Sequence, residues 1–177
     1  MNIWKDFDKK RITPDDFYAC IEITKGKRSK YELDKETGLL ILDRVLYTST
    51  IYPMNYGFIP KTYAGDNDPL DVFVLCSEPI ESLALVRCYP IGVVKMKDRK
   101  ATDEKIIAIP FKDPQYNSYK DIKDLPEHIF DELKHFLSVY KQLENKVVEV
   151  QELCDREEAK RCIEFALNLY ETTFDNK

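Results

Sequence analysis

The stretch YAGDNDPLDVFVL, residues 63–75, sets three aspartates, Asp66, Asp68 and Asp71, within six positions and then turns apolar at Val72, Phe73, Val74 and Leu75. A short apolar run entered through proline and aspartate reads as a strand running into a core with its acidic lead at the rim. Pro69 lacks a backbone donor and pushes Asp68 towards extended geometry. In an extended chain Asp66 and Asp68 share a face, so the expectation is a rigid, oxygen-rich corner. Carboxylates this close repel one another unless cations lie between them, and hard divalent cations take oxygen ligands. An EF-hand calcium loop does not fit: it needs glycine where Asp71 stands and glutamate where Ser77 stands. Taken alone, the segment also reads as a solvated acidic turn, because Asp, Asn, Pro and Gly are ordinary turn residues.

Working outward, the first two-thirds of the chain reads as strands and turns. FYACIEI (17–23) is a short apolar run, and SKYELDKETGLLILDRVL (29–46) reads as a hairpin turning at Glu36, Thr37 and Gly38. DVFVLC (71–76), LALVRCYPIGVVKMKD (83–98) and KIIAIPF (105–111) are further strands, with Pro90 and Gly92 marking a bend. Helical spacing takes over in the last third. Ile129, Leu133, Phe136, Leu137, Tyr140 and Leu143 line one face of 125–144, with Pro126 in the first turn. Ala159, Cys162, Ile163, Ala166, Leu169 and Tyr170 line one face of 155–174, with Asp155 as N-cap. Strands first and helices second argue an α+β domain. Short bent strands point to a small closed β-barrel with the C-terminal helices packed outside. The chain, 1–177, shows no repeat and no linker that would divide it, so a single domain is expected.

Bulk properties bound the function. With 27 basic against 32 acidic residues the net charge is −5, which argues against nucleic acid as a partner of the surface. The one basic run, KGKRSK (25–30), reads as a solvated hairpin edge or a phosphate contact. No apolar run approaches the roughly 18 residues of a membrane span. MNIWKDFDKK (1–10) lacks the apolar region of a secretory leader, so a cytoplasmic location is expected. Five cysteines with no C-x-x-C pair read as reduced, packed thiols. His128 and His135 read as helix-surface residues rather than metal ligands.

A second acidic group, Asp98 and Asp103 in KDRKATDEK (97–105), flanks a turn and is followed by Lys105. It joins the first cluster if that turn folds over the barrel mouth; otherwise it is a charged hairpin. Lys30 and Glu32 alternate around Tyr31, Arg44 ends the return strand, Tyr52 and Tyr56 flank a proline turn, and Tyr140 stands beside Lys141. Each alone reads as a strand-edge cation, a core aromatic or a helix-surface pair.

Together these segments resemble the soluble inorganic pyrophosphatases of family I. DNDPLD matches the signature of that family, and KYELDKETG, Asp43-Arg44, YPMNYGFIP, GVVKMKD, the Asp103/Lys105 pair and YKQLE follow in the order and spacing of the family. The resemblance implies an OB-like barrel with flanking helices and hydrolysis of pyrophosphate to two phosphates with several Mg²⁺ ions, Mn²⁺ being a possible substitute. By resemblance, Asp66, Asp71 and Asp103 are ligands of the metal that activates water, and Asp98 with Asp103 binds a further one. Asp68 corresponds to the general base, and Glu22 and Glu32 to acidic positions at the metal end. Lys30, Arg44, Tyr56, Lys105, Tyr140 and Lys141 correspond to phosphate-binding positions, and Tyr52 to a phenol lining the site. Arg99 stands where many members carry a second acid. The short chain resembles the hexameric bacterial type more than the dimeric eukaryotic one. Two other readings compete: a barrel that binds a polyanion without catalysis, and a Mg²⁺-dependent hydrolase of organic phosphates.

Overall fold

The computed structural model describes residues 1–98 and 101–175. Arg99 lies outside the described residues. The first strand, β1 (Phe17–Ile23), is a near-continuous apolar run because it is paired along both edges and covered on both faces. It pairs antiparallel with β4 (Asn55–Phe58) through Cys20–Ile23 and with β6 (Leu85–Asp98) through Phe17–Cys20. β4 pairs with β5 (Asp71–Val74), β5 runs parallel to β7 (Ala101–Pro110), and β7 returns antiparallel to β6. The pairing β1-β4-β5-β7-β6 therefore closes on itself through β6 and β1, and β8 (Val148–Asp155) extends the sheet from the other part of β6. The bend expected at Pro90 and Gly92 is a register shift in the β6–β7 ladder.

Alternation in DVFV divides the core. Val72 and Val74 pack in a cluster with Ala159, Cys162, Ile163 and Ala166 of the helix α3 (Arg156–Tyr170). Phe73 points the other way, into a cluster with Phe130, Leu133, Phe136 and Leu137 of the helix α2 (Glu127–Val139). Asp155 caps α3 by accepting from the Glu158 N–H, as expected of an N-cap aspartate. The fold is α+β, an OB-like barrel with C-terminal helices.

The hairpin stands apart from this barrel. β2 (Ser29–Leu33) and β3 (Leu40–Val45) form their own two-stranded sheet, turning through Gly38 at φ 75°. It leaves Leu39, Ile41, Leu42 and Val45 half-exposed or more.

Several expectations are corrected. A short N-terminal helix, α1 (Ile3–Asp6), was not anticipated; it buries Trp4, whose Nε1 donates to the Thr62 carbonyl at 2.8 Å. β8 interrupts the helical last third, so the order is not simply strands then helices. α2 stops at Val139, Pro126 is its N-cap, and a 3₁₀ turn (Gln142–Glu144) follows. Leu143 thus leaves the apolar face and is exposed. The segment carrying Asp66 and Asp68 is a turn, with Asn67 left-handed at φ 68°, rather than extended chain.

Candidate active site

The acidic ends of β5, β6 and β7, the β2–β3 ribbon and the C-terminal end of α2 surround one cavity of about 640 Å³. Of the residues anticipated from the sequence, Glu22, Lys30, Glu32, Tyr52, Tyr56, Asp66, Asp68, Asp71, Asp98, Asp103, Lys105, Tyr140 and Lys141 line it. Arg44 does not; its Nη1 contacts Asp43, which does.

Strand register explains the centre. The parallel β5–β7 ladder sets Asp71 opposite Lys105, and period-two alternation turns Asp103 to the same side as Lys105. The Lys105 ammonium is 2.7 Å from Asp71, 3.2 Å from Asp103 and donates to the Tyr56 hydroxyl at 2.8 Å. Burial alone would lower the pKa of Lys105, but Asp103 and Asp71 overcome it and hold the ammonium firmly charged. Burial, with Asp71 nearby, raises the Tyr56 phenol well above its usual value, so it remains a neutral donor.

The turn before β5 is braced from within. The Asp68 N–H donates to Asp66 Oδ1 at 3.1 Å, the Ala64 N–H to the Asp68 carbonyl at 2.8 Å, and the Leu70 N–H to Thr62 Oγ1 at 2.9 Å. Asp66 is exposed on this turn, yet partial desolvation of its carboxyl at the cavity, and then the charges of Asp71, Asp103 and Asp68, push it up to about 6 despite the Asp68 N–H. Asp68 stays at the mouth, its side chain 56% exposed, paired with Lys35. Asp103 is also raised, first by burial and only partly relieved by Lys105. Glu22, accepting from the Leu33 N–H at 2.8 Å, is raised to about 8 by burial and by Asp71.

Lysines alternate with these acids around the wall. Lys30 contacts Glu32 and lies 3.7 Å from Asp43, and Lys141 pairs with Asp98. Tyr140 stacks on Phe136 with ring centroids 5.1 Å apart, and Tyr52 packs on the same ring at 4.8 Å. Lys35, Asp34 and Asp43 also line the cavity but were not anticipated. Lys35 reaches Asp68 across 33 residues of sequence, a pairing that no local pattern signals.

Nine carboxylates and four lysines line the cavity, with no histidine and no cysteine among them. Among the described residues no three Asp, Glu, His or Cys side chains converge as a ready-made metal group. The donor set is nevertheless all hard oxygen, and Asp66 and Asp103 are pushed up first by desolvation and then by neighbouring acids, both of which a bound divalent cation offsets. Both features fit a hard octahedral ion such as Mg²⁺ and argue against zinc.

The inorganic pyrophosphatase family model matches residues 19–171. A soluble inorganic pyrophosphatase of Chlamydomonas reinhardtii is 45% identical over 168 residues, covering 95% of this chain and 88% of its own length. The inorganic pyrophosphatase of Haloferax volcanii is 41% identical, covering 98% of this chain and 99% of its own. The solved inorganic pyrophosphatase of Thermus thermophilus superposes with a TM-score of 0.90 at 35% identity, covering 97% of this chain and 99% of that one. With the signature acids brought to one cavity on the matching fold, the chain belongs to the inorganic pyrophosphatase family.

Proposed function

We propose that this protein hydrolyses inorganic pyrophosphate to two orthophosphates in a site that works with several Mg²⁺ ions, Mn²⁺ serving as a substitute. The observation that carries this reading is one cavity lined by nine carboxylates with lysines and phenols facing the same space. Bound Mg²⁺ supplies a water of lowered pKa and countercharge for the phosphoryl oxygens.

In this reading Asp66, Asp71 and Asp103 would hold the ion that activates water, and Asp98 with Asp103 would hold another. Glu32 and Glu22 serve the same end of the cavity. For Glu22 to act there it must give up a proton that burial favours keeping near neutral pH. Asp68, exposed at the mouth, takes the proton of the attacking water after parting from Lys35. Lys30, Lys105 and Lys141 act as point charges on the phosphoryl oxygens, and Arg44 supplies a planar fork. Tyr56 and Tyr140 donate hydrogen bonds without adding charge. These positive groups stabilise charge where it develops on the transferred and leaving phosphates.

The protein acts as one domain in the cytoplasm, with pyrophosphate and phosphate as its partners and neither nucleic acid nor membrane. Among the described residues no helix is long and apolar enough to cross a membrane. Self-association, as a hexamer rather than a dimer, suits the apolar ribbon: Leu39, Ile41, Leu42, Val45, Tyr47 and Ile51 are each at least 50% exposed.

Phosphate release from pyrophosphate, with and without Mg²⁺ and beside ATP and p-nitrophenyl phosphate, tests the reading. Rapid release from pyrophosphate only with Mg²⁺ is expected. Release that ignores Mg²⁺, or favours the organic phosphates, overturns it.

A further inference from the structure

Arg44 is paired with Lys30 in the β2–β3 ladder and sits on a ribbon outside the main sheet. A guanidinium on such an element needs an anchor if it is to meet a phosphate in one orientation. The anchor is in the 3₁₀ turn that follows α2. Glu144 Oε1 lies 2.8 Å from Arg44 Nε, and the Glu144 side chain is only 7% exposed. Arg44 Nε, Arg44 Nη2 and Glu144 Oε2 are all buried and form no hydrogen bond among the described residues, so the 2.8 Å Nε–Oε1 approach is an ion pair. The Nε/Nη2 edge of a guanidinium and a carboxylate are complementary groups, and here they meet through the single Nε–Oε1 contact. The opposite corner, Nη1, contacts Asp43, which does line the cavity. The same short turn carries Lys141, paired with Asp98 on the far wall, and it is closed by Asn145 in the left-handed region at φ 57°. Lys146 lies 3.8 Å from Glu144 at the exposed side and does not replace Arg44 as its main partner.

We propose that Glu144 is a positioning residue for Arg44, its buried carboxylate holding the Nε side of the guanidinium in an ion pair so that the Nη1 corner is presented to a phosphoryl group in place of Asp43. The inference rests on the pyrophosphatase reading for its substrate. A buried ion pair is a poor device for stability alone, since a well-packed apolar pair of similar volume serves as well or better. Its presence behind a candidate phosphate-binding cation is accounted for by orientation. A lysine in place of Arg44 has one point charge and no second edge, so it cannot be held at one end and offered at the other.

The test is a double-mutant cycle on the full protein, with Glu144→Gln, Arg44→Lys and the pair, reading kcat and KM for pyrophosphate with Mg²⁺. A misplacement of the guanidinium by about 1 Å costs on the order of 10²-fold in rate. Glu144→Gln alone is therefore expected to lower kcat/KM by about 10- to 10²-fold. In the Arg44→Lys background the same change is expected to cost less than about twofold, because the group it orients is gone. Glu144→Asp, which keeps the charge on a shorter arm, is expected to recover part of the loss. Equal losses in both backgrounds, or recovery no better with Asp than with Gln, overturn the inference. If Glu144→Gln fails to fold, Glu144→Asp and its pair with Arg44→Lys complete the cycle. A second readout is protection of the protein by inorganic phosphate against thermal unfolding. Glu144→Gln is expected to weaken that protection when Arg44 is present and to leave it unchanged in the Arg44→Lys background. That arm still judges the inference if the wild-type protein fails to cleave pyrophosphate.

Discussion

Lys105→Met removes the charge at the centre of the cavity while keeping an unbranched side chain of similar length. The ammonium it deletes is 5% exposed, 2.7 Å from Asp71 and 3.2 Å from Asp103. At an effective dielectric constant near 20, unit charges at these separations attract by roughly 5–6 kcal/mol each. Most of that gain is offset by the cost of burying the ammonium, several kcal/mol. Deletion restores none of the lost solvation to the two acids, whose side chains are 22% and 18% exposed. The net cost of breaking such a pair is about 3–5 kcal/mol. Urea unfolding at pH 7 without divalent metal, followed by the fluorescence of the single tryptophan, buried Trp4, measures it. Mg²⁺ should then stabilise the variant more than the wild type, because the acids it binds no longer have an ammonium between them. The gain is about 2.7 kcal/mol at a hundredfold excess over Kd. A loss below about 1 kcal/mol without metal, or equal stabilisation of both proteins by Mg²⁺, refutes the view that Lys105 screens these carboxylates from each other.

Other outcomes follow from neighbouring features. Asp68→Asn should keep the Mg²⁺ dependence of pyrophosphate turnover but lower kcat by about 10²-fold or more, and an unchanged kcat would remove Asp68 from proton transfer. Gly57→Ala should abolish the native fold or leave it several kcal/mol weaker, because a Cβ there meets the backbone oxygen of Cys20 at 1.9 Å across the β1–β4 ladder; a normal urea midpoint would contradict that register. Asp113 shapes the acid limb of stability. Burial would raise its pKa, but donation from the Ser77 N–H at 2.7 Å, the Gln115 N–H at 3.1 Å and the Ser77 hydroxyl at 3.0 Å lowers it. Its contribution is therefore complete above the unfolded carboxylate value, roughly 4, and is lost as pH falls through the lower native value. Asp113→Asn should lower stability at pH 7 and flatten the slope below about pH 4, and parallel curves for variant and wild type would exclude the linkage.

Much of the fold was legible because its local and global preferences agree. FYACIEI reads as a short apolar strand, and 17–23 is a strand. The Glu36-Thr37-Gly38 turn, the bend at Pro90 and the Asp155 cap carry chemistry that admits few alternatives. β8 was missed because Val148–Asp155 is half-exposed and mixes charged with apolar residues, so its pairing with β6 rather than its own pattern makes it a strand. The run from Ile129 to Leu143 overreached because helical spacing persists past Val139, where the chain instead tightens into the turn that carries Lys141 and Glu144. In the site, the acids were legible as a cluster, but their partners were not. Lys35 on Asp68 and Glu144 on Arg44 are long-range pairings that only the folded chain creates.

If the cavity is the metal and substrate site proposed above, its charge pattern makes the two one linked equilibrium. Nine carboxylates against four lysines leave the walls anionic, and the lysines at Asp71, Asp98 and Asp68 are already engaged by acids. An anion as dense as pyrophosphate cannot draw those lysines away without compensating charge on the carboxylates they leave. In the proposed reading divalent cations would supply that charge, and the event that loads the acids would release the lysines to face phosphate. Removing Mg²⁺ should therefore abolish affinity for the substrate and not turnover alone. Calorimetry with a non-hydrolysable bisphosphonate separates the two. Binding that appears only with Mg²⁺ and grows steeply with its concentration is the expected result. Equal affinity in the presence of a chelator would mean that the four lysines hold the anion by themselves, and the interleaving of acid and base around the cavity would then need another cause.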